Sequence, residues 1–179
     1  MYKILVVSHC ILNTASKVES YNLEDMKKEH ANREKLIKYV QKHNIQLLQL
    51  PCPEFILYGA KRWGHVKDQF NHPYFRKQCK DMLEPVIMQL KEYSSYPSRF
   101  QILGIISIDG SPSCGNHMTC KGEWGGEFTG CSDIHKKLNK LYMANEPGVF
   151  MEELMFLLER DSIDIPIMDL STFIESINL

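Results

Sequence analysis

The sequence predicts an α/β protein, a Rossmann-like three-layer sandwich around a mostly parallel sheet of four or more strands. Two observations predict it. Short apolar runs alternate with longer amphipathic stretches along the 179 residues, the alternation that builds a parallel sheet with helices on both faces. The run Ile102-Leu103-Gly104-Ile105-Ile106-Ser107-Ile108 is apolar and β-branched almost throughout, as a strand covered on both faces must be. A chain of this length fits one domain, 1–179, and can bury a core without staples. No internal repeat, low-complexity tract or linker divides it.

Taken in order, 3–7 is a short buried strand, and Ser8-His9-Cys10 opens the loop after it. The polar segment 17–21 reads as a surface loop. A charged amphipathic helix follows over 23–43, with Met26, Leu36, Ile37 and Val40 as its buried positions. A second strand, 45–50, ends at Pro51-Cys52-Pro53-Glu54, where two prolines fix the backbone around one cysteine. Tyr58-Gly59-Ala60-Lys61-Arg62-Trp63-Gly64 is basic and aromatic. It is either a surface loop or a wall that meets a planar or anionic ligand by stacking and cation–π contact.

A long helix over 73–93 carries Phe75, Met82, Leu83, Val86, Ile87 and Leu90 on its apolar side, and Pro85 should kink or split it. Cys79 on that helix reads as a small core or surface residue. The strand over 102–108 then runs into Asp109-Gly110-Ser111-Pro112-Ser113-Cys114-Gly115, a sharp turn that holds out a cysteine among small residues. Residues 116–145, rich in glycine around Trp124 and Phe128, form a loop or hairpin insertion with a short helix over 132–142. Long insertions at a strand's C-terminal end are often functional covers. An amphipathic helix over 149–160, with Phe150, Leu154, Phe156, Leu157 and Leu158, leads to a last strand over 163–170. Ser171 is placed to cap a closing helix over 172–177.

Composition narrows the function. A formal net charge of −1 gives no electrostatic reason to expect a nucleic acid or an anionic membrane as partner. No apolar run approaches the roughly 20 residues of a membrane span, and the chain starts directly in a strand, without a signal-peptide pattern. The expectation is a cytoplasmic protein. There, six cysteines point to metal binding or catalysis rather than to structural disulfides.

In a doubly wound sheet all strand C-termini lie along one rim, and ligands bind in the crevice outside it. Cys10, Cys52 and Cys114 each lie two to six residues past a predicted strand end, so the three thiols converge if their strands are neighbours. Soft thiolates select zinc, copper(I) or an iron–sulfur cluster. A structural zinc site wants four ligands in short paired spacings, and no such pair is present. The alternative is three unrelated core cysteines. Cys120 or Cys131 could add a fourth ligand from the insertion. Of the seven histidines, His9 beside Cys10 is the one placed to take part.

Cys10 after the first strand, Cys52-Pro53-Glu54 after the second and Ser111-Pro112-Ser113-Cys114-Gly115 after the third resemble the thiouracil desulfidase family. That family is a large group of small bacterial and archaeal proteins, long described as a domain of unknown function. The resemblance runs in order to Met168-Asp169-Leu170. It implies a [4Fe-4S] cluster held by Cys10, Cys52 and Cys114, whose open iron binds the sulfur of a small thiolated, thiocarbonyl substrate. Water then attacks the polarised carbon, and sulfur leaves as sulfide without net redox change. The resemblance makes Glu54 the general acid/base, with Ser111 and Ser113 hydrogen-bonded to substrate or bound sulfur. Two other classes stay open. One is a non-catalytic iron–sulfur or zinc-binding protein. The other is a metal-free enzyme with Cys114 as nucleophile, assisted by Ser111 or His9.

Overall fold

A computed structural model of the chain describes residues 1–177. The elements in order are β1 (Tyr2–Val7), α1 (His9–Leu12), a single 3-10 turn (Thr14–Ser16), α2 (Leu23–Lys42), β2 (Ile45–Gln49), α3 (Pro53–Tyr58), α4 (Lys67–Phe70), α5 (Pro73–Ser94) and β3 (Phe100–Ser107). They continue with β4 (Thr119–Lys121), α6 (Ile134–Leu138), β5 (Tyr142–Ala144), α7 (Val149–Arg160), β6 (Ile167–Asp169) and α8 (Leu170–Ile177). Four strands form one sheet in the order β2-β1-β3-β6, with every pair parallel. The predicted α/β sandwich is therefore the fold observed.

Strand alternation sorts the core into two layers. Val6 and Ile105 face one way, into a cluster with Phe75, Leu83 and Ile87 of α5 and Phe150, Leu154 and Leu157 of α7. Leu5, Val7 and Ile106 face the other way, onto Leu36 and Val40 of α2 and Phe173 and Ile174 of α8. Each such fully buried side chain is worth roughly 1.5–3 kcal/mol relative to exposure. The sheet needs both layers, because β1 and β3 carry no polar face.

Several local expectations are corrected. Cys10 lies in the one-turn helix α1, not in a loop. Helix α5 runs unbroken through Pro85, which sits on the exposed side, while Leu83, Val86 and Ile87 keep the buried face continuous. Only the C-terminal half of α2 meets the core, so Met26 is 48% exposed and Ile37 is half-buried. Phe156 also turns outward, beneath the Lys80 ammonium at 4.8 Å from the ring centre.

The predicted strand over 163–170 shrinks to β6. Pro166 has no N–H to give a ladder, although its carbonyl still accepts from the Ile105 N–H. The last helix starts at Leu170, and its cap is Asp169 rather than Ser171. The Asp169 carboxylate accepts from the Ser171 and Thr172 backbone N–H groups.

The insertion is a small antiparallel hairpin, β4 with β5, enclosing α6. It is latched to the main body at several points. Gly110 N–H donates to Met118 O, and the Thr119 hydroxyl to Ser111 O. Lys121 lies between Asp68 and Glu146, and Trp124 Nε1–H donates to Gly64 O.

Candidate functional site

β1 is central and pairs with β2 on one side and β3 on the other, so the winding direction reverses across it. Val7 is in register with Gln49 and with Ile106, which brings the three strand ends level at one rim. The crevice outside such a reversal is where ligands bind in open α/β sheets. A cavity of about 340 Å³ lies there, at the lower end of the range for small-ligand sites. Cys10, Cys52 and Cys114 all line it, together with Glu54, Ser111 and Ser113. Of the remaining cysteines, Cys120 reaches its wall, and Cys79 is buried in the core between α5 and α7.

Each thiol is set by its own element. Cys52 occupies the N-cap of α3, with Pro53 at the first helical position, and its Sγ accepts from the Phe55 N–H at 3.4 Å. Cys10 follows Ser8 and His9 into α1. Burial pushes its thiol up to about 12, against a smaller opposing pull from the Lys17 ammonium. Burial also raises Cys52 above the ordinary value, opposed by the Phe55 N–H. Cys114 is 8% exposed. Burial pushes its thiol well above the ordinary value, and the neighbouring Cys10 charge adds to this. In the bare protein these are three neutral thiols around one cavity.

The loop around Cys114 is rigid for identifiable reasons. Ser111 Oγ accepts from the backbone N–H of Cys114 at 3.0 Å and of Ser113 at 3.3 Å, a local side-chain turn. Asp109 Oδ1 accepts from Asn116 and His117 N–H. The first N–H groups of α7, which have no partner within the helix, find the loop instead: Val149 N–H donates to Pro112 O and Met151 N–H to Ser113 O. The approach is so close that a Cβ on Gly148 would lie 2.5 Å from the Ser113 carbonyl carbon and oxygen.

Glu54, one residue into α3 and 8% exposed, connects the loops. Its Oε1 accepts from Ser113 Oγ–H at 2.6 Å, with Ser111 Oγ at 3.5 Å. Its Oε2 meets Arg62 Nε at 3.3 Å. The Arg62 side chain is only 3% exposed and also donates to Gly59 O and Ser16 O. Arg62 therefore turns inward and holds the carboxylate, while Trp63 is 71% exposed. The basic–aromatic loop supplies a wall through Arg62, Gly64 and His65. The 17–21 segment is likewise more than a surface loop, since Lys17, Val18 and Ser20 line the cavity and Lys17 pairs with Glu29 at its edge.

His9 does not line the cavity, whereas His65 does. The His65 ring packs against Tyr58 and Phe70, burial lowers its pKa, and its Nδ1 is buried with no hydrogen-bond partner. No periodicity or spacing marks it among the seven histidines. Its place in the site follows only from the path of the loop after α3.

Among the described residues, no three His, Cys, Asp or Glu side chains stand close enough to hold a single metal ion. Thiolates sharing one zinc would sit about 4 Å apart, given the roughly 2.3 Å zinc–sulfur bond. A polynuclear iron–sulfur cluster binds each cysteine through a different iron and so spreads them around a larger volume. Three thiols, soft donors of the kind iron–sulfur clusters take, ring this cavity.

The chain is 33% identical over 112 residues to an uncharacterized protein of Methanocaldococcus jannaschii, an overlap of 63% of this chain and 67% of that protein. The chain belongs to that protein's family. No family model and no solved structure matches it. An uncharacterized relative brings no activity with it, and the chemistry of the site rests on this chain's residues. No helix among the described residues is long and apolar enough to cross a membrane.

Proposed function

We propose that this protein is an iron–sulfur-dependent desulfidase, similar to the thiouracil desulfidase family, that removes sulfur from a small thiocarbonyl compound by non-redox hydrolysis. Cys10, Cys52 and Cys114 would hold a [4Fe-4S] cluster in the cavity. When bound, such a cluster would supply Lewis-acid polarisation of the C=S group. The observation that carries the reading is the meeting of three strand-end thiols in one cavity beside a buried, fully partnered carboxylate.

The chain's own residues then do the rest. Glu54 takes a proton from the attacking water and returns it to the leaving group or to a ring nitrogen. The new C–O bond forms as the C–S electron pair leaves with sulfur, so no electrons enter or leave overall. Arg62 fixes one Glu54 oxygen, leaving the other to Ser113 and the substrate. Ser111 fixes the Cys114 loop from within. The neutral thiols must each lose a proton when iron binds, so cluster uptake is favoured by rising pH.

The test is anaerobic cluster reconstitution followed by a sulfide-release screen over thiolated bases and thioamides. The loaded protein should release sulfide, and Glu54→Gln should lower the rate by about 10²–10⁴-fold, the usual worth of a positioned acid/base, while keeping its iron. An iron-loaded Glu54→Gln with full activity on a wild-type substrate excludes this mechanism. A loaded protein inert across the screen points to a carrier or sensor instead.

A further inference from the structure

His65 brings to the cavity an imidazole that the fold holds in place but does not use. It lines the cavity together with the three thiols and Glu54. The Glu54 carboxylate is near enough to favour its protonated form. Its ring centre lies 5.0 Å from that of Tyr58 and 4.7 Å from that of Phe70. Phe70 is wholly buried and stacks in turn on Phe75, so the imidazole is packed against the core. The backbone is tied on both sides as well. Gly64 O accepts from Trp124 Nε1–H, and Val66 N–H donates to the Gln69 side-chain oxygen.

The two ring nitrogens are not equivalent. Nδ1 is buried without a hydrogen-bond partner. A neutral imidazole carries its proton on one nitrogen only. On Nδ1 that proton would be a buried donor with nothing to receive it, which folded proteins avoid. The proton therefore belongs on Nε2, the ring nitrogen left to meet the cavity. Burial keeps the ring neutral, outweighing the upward pulls of Glu54 and of the Trp63 carbonyl.

We infer that His65 is a substrate-binding residue of this site, its Nε2–H donating a hydrogen bond to an acceptor atom of the compound held in the cavity. The ring is already fixed by its aromatic neighbours, so little ordering is lost when the bond forms. A bond made alike to substrate and to transition state sets affinity rather than the chemical step. This inference rests on the desulfidase reading above.

The test has two parts. Nitrogen NMR of the iron-free protein at neutral pH should find the His65 ring neutral, with its proton on Nε2; a proton on Nδ1, or an imidazolium, overturns the inference. Sulfide release from 2-thiouracil is then measured for reconstituted wild type, His65→Phe, His65→Gln and His65→Asn. Phenylalanine keeps the packing against Tyr58 and Phe70 but has no donor. Glutamine places an amide N–H near the Nε2 position, and asparagine near that of Nδ1. His65→Phe and His65→Asn should raise KM roughly tenfold, the worth of one hydrogen bond, with kcat little changed, while His65→Gln stays near wild type. A wild-type KM in His65→Phe would make the ring a packing group only and overturn the inference, as would a His65→Gln no better than His65→Phe. A loaded wild type inert on 2-thiouracil sinks this inference, and one inert across the whole screen sinks the desulfidase reading with it. Turnover with the variants indistinguishable from wild type sinks this inference alone.

Discussion

Glu54 and Arg62 show how much the site asks of single residues. The guanidinium is almost wholly buried, and Glu54 is its counter-charge. Glu54→Gln should therefore also cost about 3 kcal/mol of stability, the lower end for stranding one partner of a buried pair. Thermal and chemical melts check this, and the variant should remain folded and iron-competent. The thiols carry a pH signature as well. Cys10 keeps its proton in the folded bare protein up to about 12, whereas the unfolded chain loses it near the ordinary thiol value. The folded state then binds more protons in that window, and stability must fall as pH rises through it. The iron-free, reduced protein should lose melting temperature above about pH 8.5, and Cys10→Ala should flatten that slope. Cys10, Cys52 and Cys114 were legible as cavity residues because each follows a strand end, where α/β sheets place their chemistry, whereas Glu54, Ser111 and Ser113 were named by the family resemblance. Arg62 read only as part of a wall, because its partnership with Glu54 depends on a loop fold that no local pattern encodes. His65 was invisible for the same reason.

Among the elements, α7 was the most legible. Its apolar spacing read as a helix over 149–160, and the helix spans Val149–Arg160. β6 was misjudged, since a proline in the run leaves only three residues to pair. The close seat of α7 against the cysteine loop makes Gly148 a sharp test. Gly148→Ala brings a methyl into the Ser113 backbone, so the loop must move. The variant should lose iron binding and melt lower, whereas an iron content equal to wild type would mean the loop tolerates displacement. Helix α5 predicts the opposite sign. Pro85 costs the helix a hydrogen bond on its exposed side, and Pro85→Ala should raise stability by up to about 3 kcal/mol. A denaturant titration reads that gain directly.

At the scale of the molecule, two helical layers hold a four-stranded sheet whose level strand ends create the cavity. The sheet was legible because alternating strand and helix patterns leave few topologies. The hairpin over 116–145 was legible only as an insertion; its latches to Gly64, Asp68, Gly110 and Ser111 are tertiary and leave no local trace. A ligand that binds only the folded chain stabilises it by mass action, so cluster loading should raise the melting temperature. The most direct measurement of the central claim is the iron and acid-labile sulfide content of anaerobically reconstituted wild type beside Cys10→Ala, Cys52→Ala, Cys114→Ala and Cys79→Ala. The account predicts about four irons per chain in wild type and Cys79→Ala, and loss of the cluster in the other three. Full iron in any of those three, or its loss in Cys79→Ala alone, would contradict it.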